Sequence, residues 1–306
     1  MKSEFMRRIC NDTLSNRLYN FSYGELKRCD LMMRYISSLT DELKIKILDF
    51  LYEDELFNIS LIHFIENQIE DMGELYIEGS NGSINSILHM KFDGNSYFTN
   101  FFTKNEKGYS KIAKQLQTLN YNKVLLSGKR KDVSKILSYL GKDATSAPDL
   151  YYKYDVNKYF KQTMYPDATF RMASCRRDDM SKISEFMIGF FEPENEQEIK
   201  DITDKKKLLE NVKTGIYFIE YKGQPIGMTR YSGKTKNYIN ITTVYIDPCY
   251  RGKGFGKILM EYMVKNVISD NKVPVLQTSS LNLIARKVYE SLGFIKQDDY
   301  SFEFIS

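Results

Sequence analysis

Tryptophan is absent from the 306 residues, and histidine occurs only twice. His63 and His89 leave a zinc site almost no imidazole to draw on. The four cysteines, Cys10, Cys29, Cys175 and Cys249, sit at no metal-ligand spacing, and a chain this long has no need of a disulfide framework. No metal is expected. A leader peptide is missing too: Met-Lys-Ser-Glu-Phe-Met-Arg-Arg opens the chain without the 7–15-residue apolar region that such a signal requires. No apolar run approaches the ~20 residues of a membrane span. The expectation is a cytoplasmic protein with no membrane partner. Charge of one sign is also scarce, since 44 basic side chains face 40 acidic ones. The basic runs Lys129-Arg130-Lys131, Arg176-Arg177 and Lys205-Lys206-Lys207 are short and adjoin aspartates, which excludes the clustered basic stripe of a nucleic-acid binder.

What remains is an ordinary globular composition, 42% hydrophobic and 27% charged. Its length exceeds one domain and points to two. Residues 1 to about 30 are polar and unassigned. Helical spacing runs over 31–70, through Leu43, Ile47, Phe50 and Leu51 and again through Leu61, Phe64, Ile65 and Ile69. Gly79-Ser80-Asn81-Gly82 predicts a hairpin turn between two short strands. A strand near 96–102, a helix near 109–119, a short strand at 124–126 and a helix at 133–140 follow. The polar stretch Gly141 to Pro166 reads as the boundary, so the expected division is 1–150, a linker or crossover strand at 151–168, and 169–306. The second part reads strand (170–173), helix (178–191), helix (196–212), three strands (216–221, 225–231, 238–246), helix, strand (273–277), helix ended by Gly293, and strand (295–304).

The informative stretch links the strand ending at Ile246 to the next helix: Asp247-Pro248-Cys249-Tyr250-Arg251-Gly252-Lys253-Gly254-Phe255-Gly256-Lys257. Three glycines in five positions remove Cβ atoms where the chain turns and where a ligand must approach the backbone. The first amides of the helix lack internal partners and sit at the positive end of its dipole, so the turn is an anion site suited to a pyrophosphate. Arg251, Lys253 and Lys257 add positive charge. A dinucleotide fingerprint fails because Lys257 stands where its third glycine belongs, and a Walker turn fails on spacing. The pattern Arg-x-x-Gly-x-Gly remains, competing with a glycine turn that holds no ligand. Further on, Asn282 and Tyr289 are seven residues apart, about two helical turns, which would set them on one face. Alone, each reads equally as a cap or a core aromatic.

Together, Arg251-Gly252-Lys253-Gly254-Phe255-Gly256 and the later Asn282…Ala285…Tyr289…Gly293-Phe294 resemble the GNAT superfamily of acyltransferases, in the right order and at the right separation. The likeness covers 169–306 and implies an α+β fold, a mixed and mostly antiparallel sheet flanked by helices. It implies acetyl-CoA as co-substrate, with no metal. It also implies backbone pairing of Val244, Tyr245 and Ile246 with the pantetheine arm, and amides of Gly252, Lys253, Gly254, Phe255, Gly256 and Lys257 around the pyrophosphate. By the same likeness Asn282 holds the pantetheine, Tyr289 protonates the departing thiolate, and an amide near Tyr245 or Ile246 stabilises the developing oxyanion. The amine, on a small molecule or a peptide, attacks the thioester directly. One departure stands out: Gln277 occupies the place where some members carry a glutamate base, and no base is assigned. The N-terminal half resembles a degenerate copy through Asn58, the hairpin at 73–88 and Ser127-Gly128-Lys129, which would make the domains tandem. Two other functions compete: a CoA-binding regulatory module without turnover, and a related acyl or aminoacyl transferase. The acceptor and the oligomeric state are not readable. Glu192, Glu194, Glu196 and Glu198 read either as a lure for a cationic amine or as a solvated helix start.

Overall fold

The computed structural model describes residues 32–67, 73–80, 82–158, 163 and 165–305, so the polar N-terminal stretch and the expected helical position Ile69 lie outside the described residues. Among those described, the first half runs β1 (Arg34–Tyr35), α1 (Asp41–Tyr52), α2 (Ile59–Asn67), β2 (Glu74–Glu78), β3 (Ser86–Phe92), β4 (Tyr97–Thr103), α3 (Glu106–Leu119), β5 (Val124–Lys129), α4 (Arg130–Tyr139) and β6 (Asp149–Tyr154). The second runs β7 (Ala168–Met172), α5 (Arg177–Phe191), α6 (Glu196–Ile202), α7 (Lys205–Gly215), β8 (Ile216–Tyr221), β9 (Gln224–Lys234), β10 (Tyr238–Ile246), α8 (Phe255–Ser269), β11 (Val273–Ser279), α9 (Leu283–Leu292) and β12 (Phe294–Ile305).

Local chemistry fixes most of these ends. Thr40, Asn105 and Asn195 turn their side-chain oxygens onto the amides of Leu43, Gly108 and Glu198 and so start α1, α3 and α6. The single helix expected over 196–212 is two. Asp204 caps Lys207, and a new helix begins there because a short carboxylate satisfies free amides better than a continued turn would. The strand expected to cross over 151–165 ends at Tyr154, where Asp155 accepts from the Asn157 amide and folds the chain into a turn.

All twelve strands share one mixed sheet, ordered β1-β2-β3-β4-β5-β12-β6-β11-β10-β9-β8-β7. The two halves repeat one plan: four strands in antiparallel sequence, then a parallel step, β4 onto β5 in the first and β10 onto β11 in the second. Their last strands are exchanged. β6 lies antiparallel against β11 and β12 lies antiparallel against β5, and the two pair with each other at the centre. Each half therefore completes the other's sheet.

Side chains reinforce this join. Ile59 of α2 packs over Gly233 of β9, where a Cβ would come within 2.8 Å of it. Glu55, almost fully buried, accepts from the Thr235 hydroxyl at 2.7 Å and from the Asn237 amide at 2.7 Å. Tyr151 donates to the Leu56 carbonyl at 2.8 Å. Around α8 a core of Phe255, Ile258, Leu259, Met263 and Val267 closes against Ile239, Ile241 and Leu276 on one sheet face. Phe186, Phe218, Met228 and Tyr245 form a second core under α5 and α7 on the other. Burying a side chain such as Phe218 contributes about 2–3 kcal/mol. Among the described residues no helix is long and apolar enough to cross a membrane, and no cluster of His, Cys, Asp or Glu could hold a metal ion.

Candidate active site

The parallel pair β10·β11 holds register only from Tyr238↔Val273 to Ile241↔Leu276. Beyond Ile241 the strands part. β10 keeps its partner on the other side, through Tyr245↔Met228 and Ile246↔Gly227, after a bulge at Thr243, whose φ is +54°. The bulge bends β10 away from β11, so Val244, Tyr245 and Ile246 turn one backbone edge toward an opening with no strand in it. Val244 and Ile246 pack toward α8, whereas the Tyr245 ring goes to the opposite face against Phe186. Gly189 of α5 makes room there, because a Cβ would meet the Tyr245 hydroxyl at 2.2 Å.

The glycine turn begins where β10 ends. Asp247 accepts from the Cys249 amide and starts a short 3₁₀ turn, Pro248–Tyr250. Gly252 and Gly254 are left-handed at φ +76° and +85°, with no atom near the place of a Cβ. Gly256 has 3.7 Å to Ile246 at the same place, so all three leave a clear cradle on the backbone. Lys257 and Ile258 bond back to the Gly254 carbonyl, whereas the amides from Gly252 to Gly256 meet no protein acceptor among the described residues. A run of free amides at the head of a 15-residue helix matches the donor set that a pyrophosphate needs. The basic side chains are parked on local oxygens. Arg251 donates to the Ile246 carbonyl at 2.8 Å and Lys253 to the Cys249 carbonyl at 3.0 Å. Lys257 lies 3.9 Å from Glu261, a fully buried carboxylate that accepts from Thr163 through both its amide (2.7 Å) and its hydroxyl (2.9 Å).

Asn282 stands at the start of α9 and Tyr289 two turns into it. Asn282 is the N-cap of α9, exposed, with Oδ1 on the Ala285 amide at 3.1 Å. Its Nδ2 is left to donate elsewhere. Tyr289 is buried against Tyr152 and Phe294, with its hydroxyl on no protein acceptor among the described residues. Burial pushes the phenol up to about 12, so it holds its proton throughout the neutral range. Gln277 is half-buried on β11 opposite Tyr151. The acidic group at 192–198 is a helix start: Asn195 caps α6, and the Glu198 carboxylate accepts from the Glu194 amide.

One residue was passed over in the sequence. Arg230 of β9 stands opposite Thr242, level with the parting of the strands, on the face carrying α5 and α7. An isolated arginine inside an apolar strand gives no spacing to read, and only the register places it here.

A model of the acetyltransferase (GNAT) family matches residues 180–294. No curated protein matches the sequence. Among solved structures, a tandem GNAT protein of the clavulanic acid biosynthesis pathway is similar at a TM-score of 0.66 and 12% identity, over 89% of this chain and 98% of that one. A GNAT-family acetyltransferase from Colwellia psychrerythraea gives 0.60 at 14% identity, over 89% and 99%. A GCN5-related N-acetyltransferase from Sphaerobacter thermophilus gives 0.57 at 12%, over 89% and 95%. At such identities the structural likeness establishes the fold, and the family model matches within the second half. Residues 180–294 therefore match a GNAT acetyltransferase domain, and the chain as a whole has the fold of tandem GNAT proteins.

Proposed function

We propose that the protein transfers an acetyl group from acetyl-CoA to a primary amine, without a covalent enzyme intermediate. The observation that carries this reading is the combination of two features around one core cluster: a cradle of amides at Gly252–Gly256 and a protonated phenol at Tyr289, neither with a protein partner among the described residues. Acetyl-CoA, when bound, supplies an activated thioester. The chain's own groups do the rest. The amides of 252–257 bind the pyrophosphate, with Arg251, Lys253 and Lys257 free to swing from their local oxygens. The open edge of Val244–Ile246 and the Asn282 Nδ2 align the pantetheine. The Ile246 carbonyl already accepts from Arg251, so the other groups of that edge carry most of the pairing. An edge amide near Tyr245 donates where negative charge develops. Tyr289 gives its proton to the departing sulfur. With Gln277 unable to act as a base, the amine must arrive neutral or lose its proton to water.

The two repeats, 34–154 and 168–305, are read as a duplication in which only the second kept the site. Exposed free Cys175 and Cys249 suit a reducing cytoplasm. The test is release of free CoA thiol from acetyl-CoA by the full chain against a library of amines. Thiol release that depends on an amine supports the reading. CoA binding with no turnover for any amine would favour a regulatory module instead, and a preference for longer thioesters would favour a different acyl group.

A further inference from the structure

The face of the sheet opposite α8, across the opening from the pyrophosphate turn, carries a half-buried cation without a counter-ion among the described residues. Arg230 donates through Nε to the Thr243 hydroxyl at 3.1 Å and through Nη1 to Asn211 of α7 at 3.1 Å. Both partners are neutral. Neither an ion pair nor a charged hydrogen-bond acceptor reaches this guanidinium among the described residues, whereas Arg171 nearby on β7 is held by both Asp179 and Glu220. A guanidinium offers five N–H donors, and two are used. Nη2 has no protein acceptor among the described residues and is not sealed from solvent. Burial pulls the group down to about 10, still charged at neutral pH.

Drawing a cation partly out of water carries a cost that an anion would offset, and no carboxylate among the described residues does so here, which leaves the group a use for a bound anion. The location says what the use is. Thr243, the hydroxyl that orients Nε, is the bulged residue at which β10 leaves β11, so the guanidinium borders the point where the thioester and the amine would meet. The same face carries Asn240, whose Oδ1 is buried without a partner. The free edge of a planar guanidinium fits a carboxylate with two parallel hydrogen bonds.

We infer that Arg230 binds the carboxylate of the acceptor, which makes that acceptor an amine bearing an acid group close by, an amino acid or a short acidic amine, and not a polyamine. This rests on the acetyltransferase reading and narrows it. Thr243 and Asn211 are positioning residues that hold the fork in plane. A cationic acceptor would bring like charge to an uncompensated arginine and be rejected.

The experiment measures thiol release from acetyl-CoA by the full-length protein with three sets of amines: the common L-amino acids, the same amino acids as C-terminal amides, and spermidine with putrescine. At least one free acid should exceed its amide by about 10²-fold in kcat/KM, the scale of a charge-assisted bidentate pair. Arg230→Ala should erase that preference by lowering the acid while leaving the amide unchanged, and Arg230→Lys should restore part of it. Calorimetric CoA affinity should be unchanged and the melt should stay cooperative in both variants, which separates a specificity role from a folding defect. Equal rates for acid and amide, turnover of polyamines in their place, or an acid preference that survives Arg230→Ala would overturn the inference while the acetyltransferase reading stands. No turnover in any set would bring down both together.

Discussion

The two repeats share their strand order and differ at the turn after the fourth strand. In the second, eight residues separate Ile246 from Phe255, and left-handed Gly252 and Gly254 leave the helix amides bare. In the first, only Lys104 and Asn105 separate β4 from α3. Asn105 covers the Gly108 amide with its own side chain at 2.9 Å, and Glu106 adds negative charge to the helix start. The anion site is filled from within. The parting of β4 and β5 beyond Asn100↔Ser127 is closed as well, leaving a cavity of about 30 Å³ beside Asp54, Phe57, Asn58 and Asn100. Lys129 is tied across it to Asp54. The last helices are both ten residues long, α4 and α9, yet the cap and the residue seven places on are Lys129 and Ile136 in one, Asn282 and Tyr289 in the other. On the proposed function, a fold is kept whole here while its site is lost, because the sheet depends on burial and the proposed site on a few exposed amides and one hydroxyl.

The exchange of β6 and β12 gives the comparison its strongest test. Cutting the chain at residues 155–167 and producing each half alone should leave each without its neighbour's strand, β5 and β11 both exposed as edges. Neither half alone should show a cooperative melt, and mixing them should restore one. A half that folds and binds CoA alone would mean that the exchange is dispensable. Within the whole chain the repeats should differ in kind. Gly254→Val fills the cradle and strains a left-handed position. Losing two charge-assisted hydrogen bonds costs about 3 kcal/mol, roughly 10²-fold in affinity. Calorimetry should show that loss with near-native circular dichroism, and one CoA per parent chain; a stoichiometry of two would erase the distinction between repeats.

Tyr289→Phe keeps the packing against Tyr152 and Phe294 and removes one O–H. A thiolate leaves without much help, so kcat should fall about 10²-fold, the lower end for general acids, with the Michaelis constant for acetyl-CoA unchanged. With the phenol near 12, the parent's rate should show no alkaline decline from this group below about pH 10. Full turnover by the variant would reduce Tyr289 to a core packing residue like Ile136. The smallest effect concerns the start of α5, where α1 has only the exposed local pair of Lys46 with Glu42. Asp179 accepts from Arg171 at 2.7 and 2.9 Å and from Ser174, which holds its carboxyl at about 2 against an ordinary 3.8. Because the folded value is lowered, the stability it supplies is complete above pH 4 and is lost as pH falls from about 4 to 2. Asp179→Asn should cost about 1–2 kcal/mol at pH 7, discounted for the exposed side of Arg171, and the gap to the parent should close in acid. A gap independent of pH would place the effect in packing.

The sequence by itself determined the elements of the second half almost to their ends, the glycine turn, and the Asn282–Tyr289 helix with its Gly293 stop. All of these are local: apolar period, left-handed glycines and helix caps act within a few residues, and each is written in consecutive letters. It misjudged the helix over 196–212 and the strand over 151–165 where a single aspartate, Asp204 or Asp155, outweighed the period. What only the tertiary structure decided is whatever depends on which strand lies beside which. The exchange of β6 and β12, the parting of β10 from β11 after Ile241, the closing of the first repeat's opening, and the uncompensated charge of Arg230 are all of this kind. Register between distant strands is set by the summed burial of many side chains, and no short stretch of sequence carries that sum.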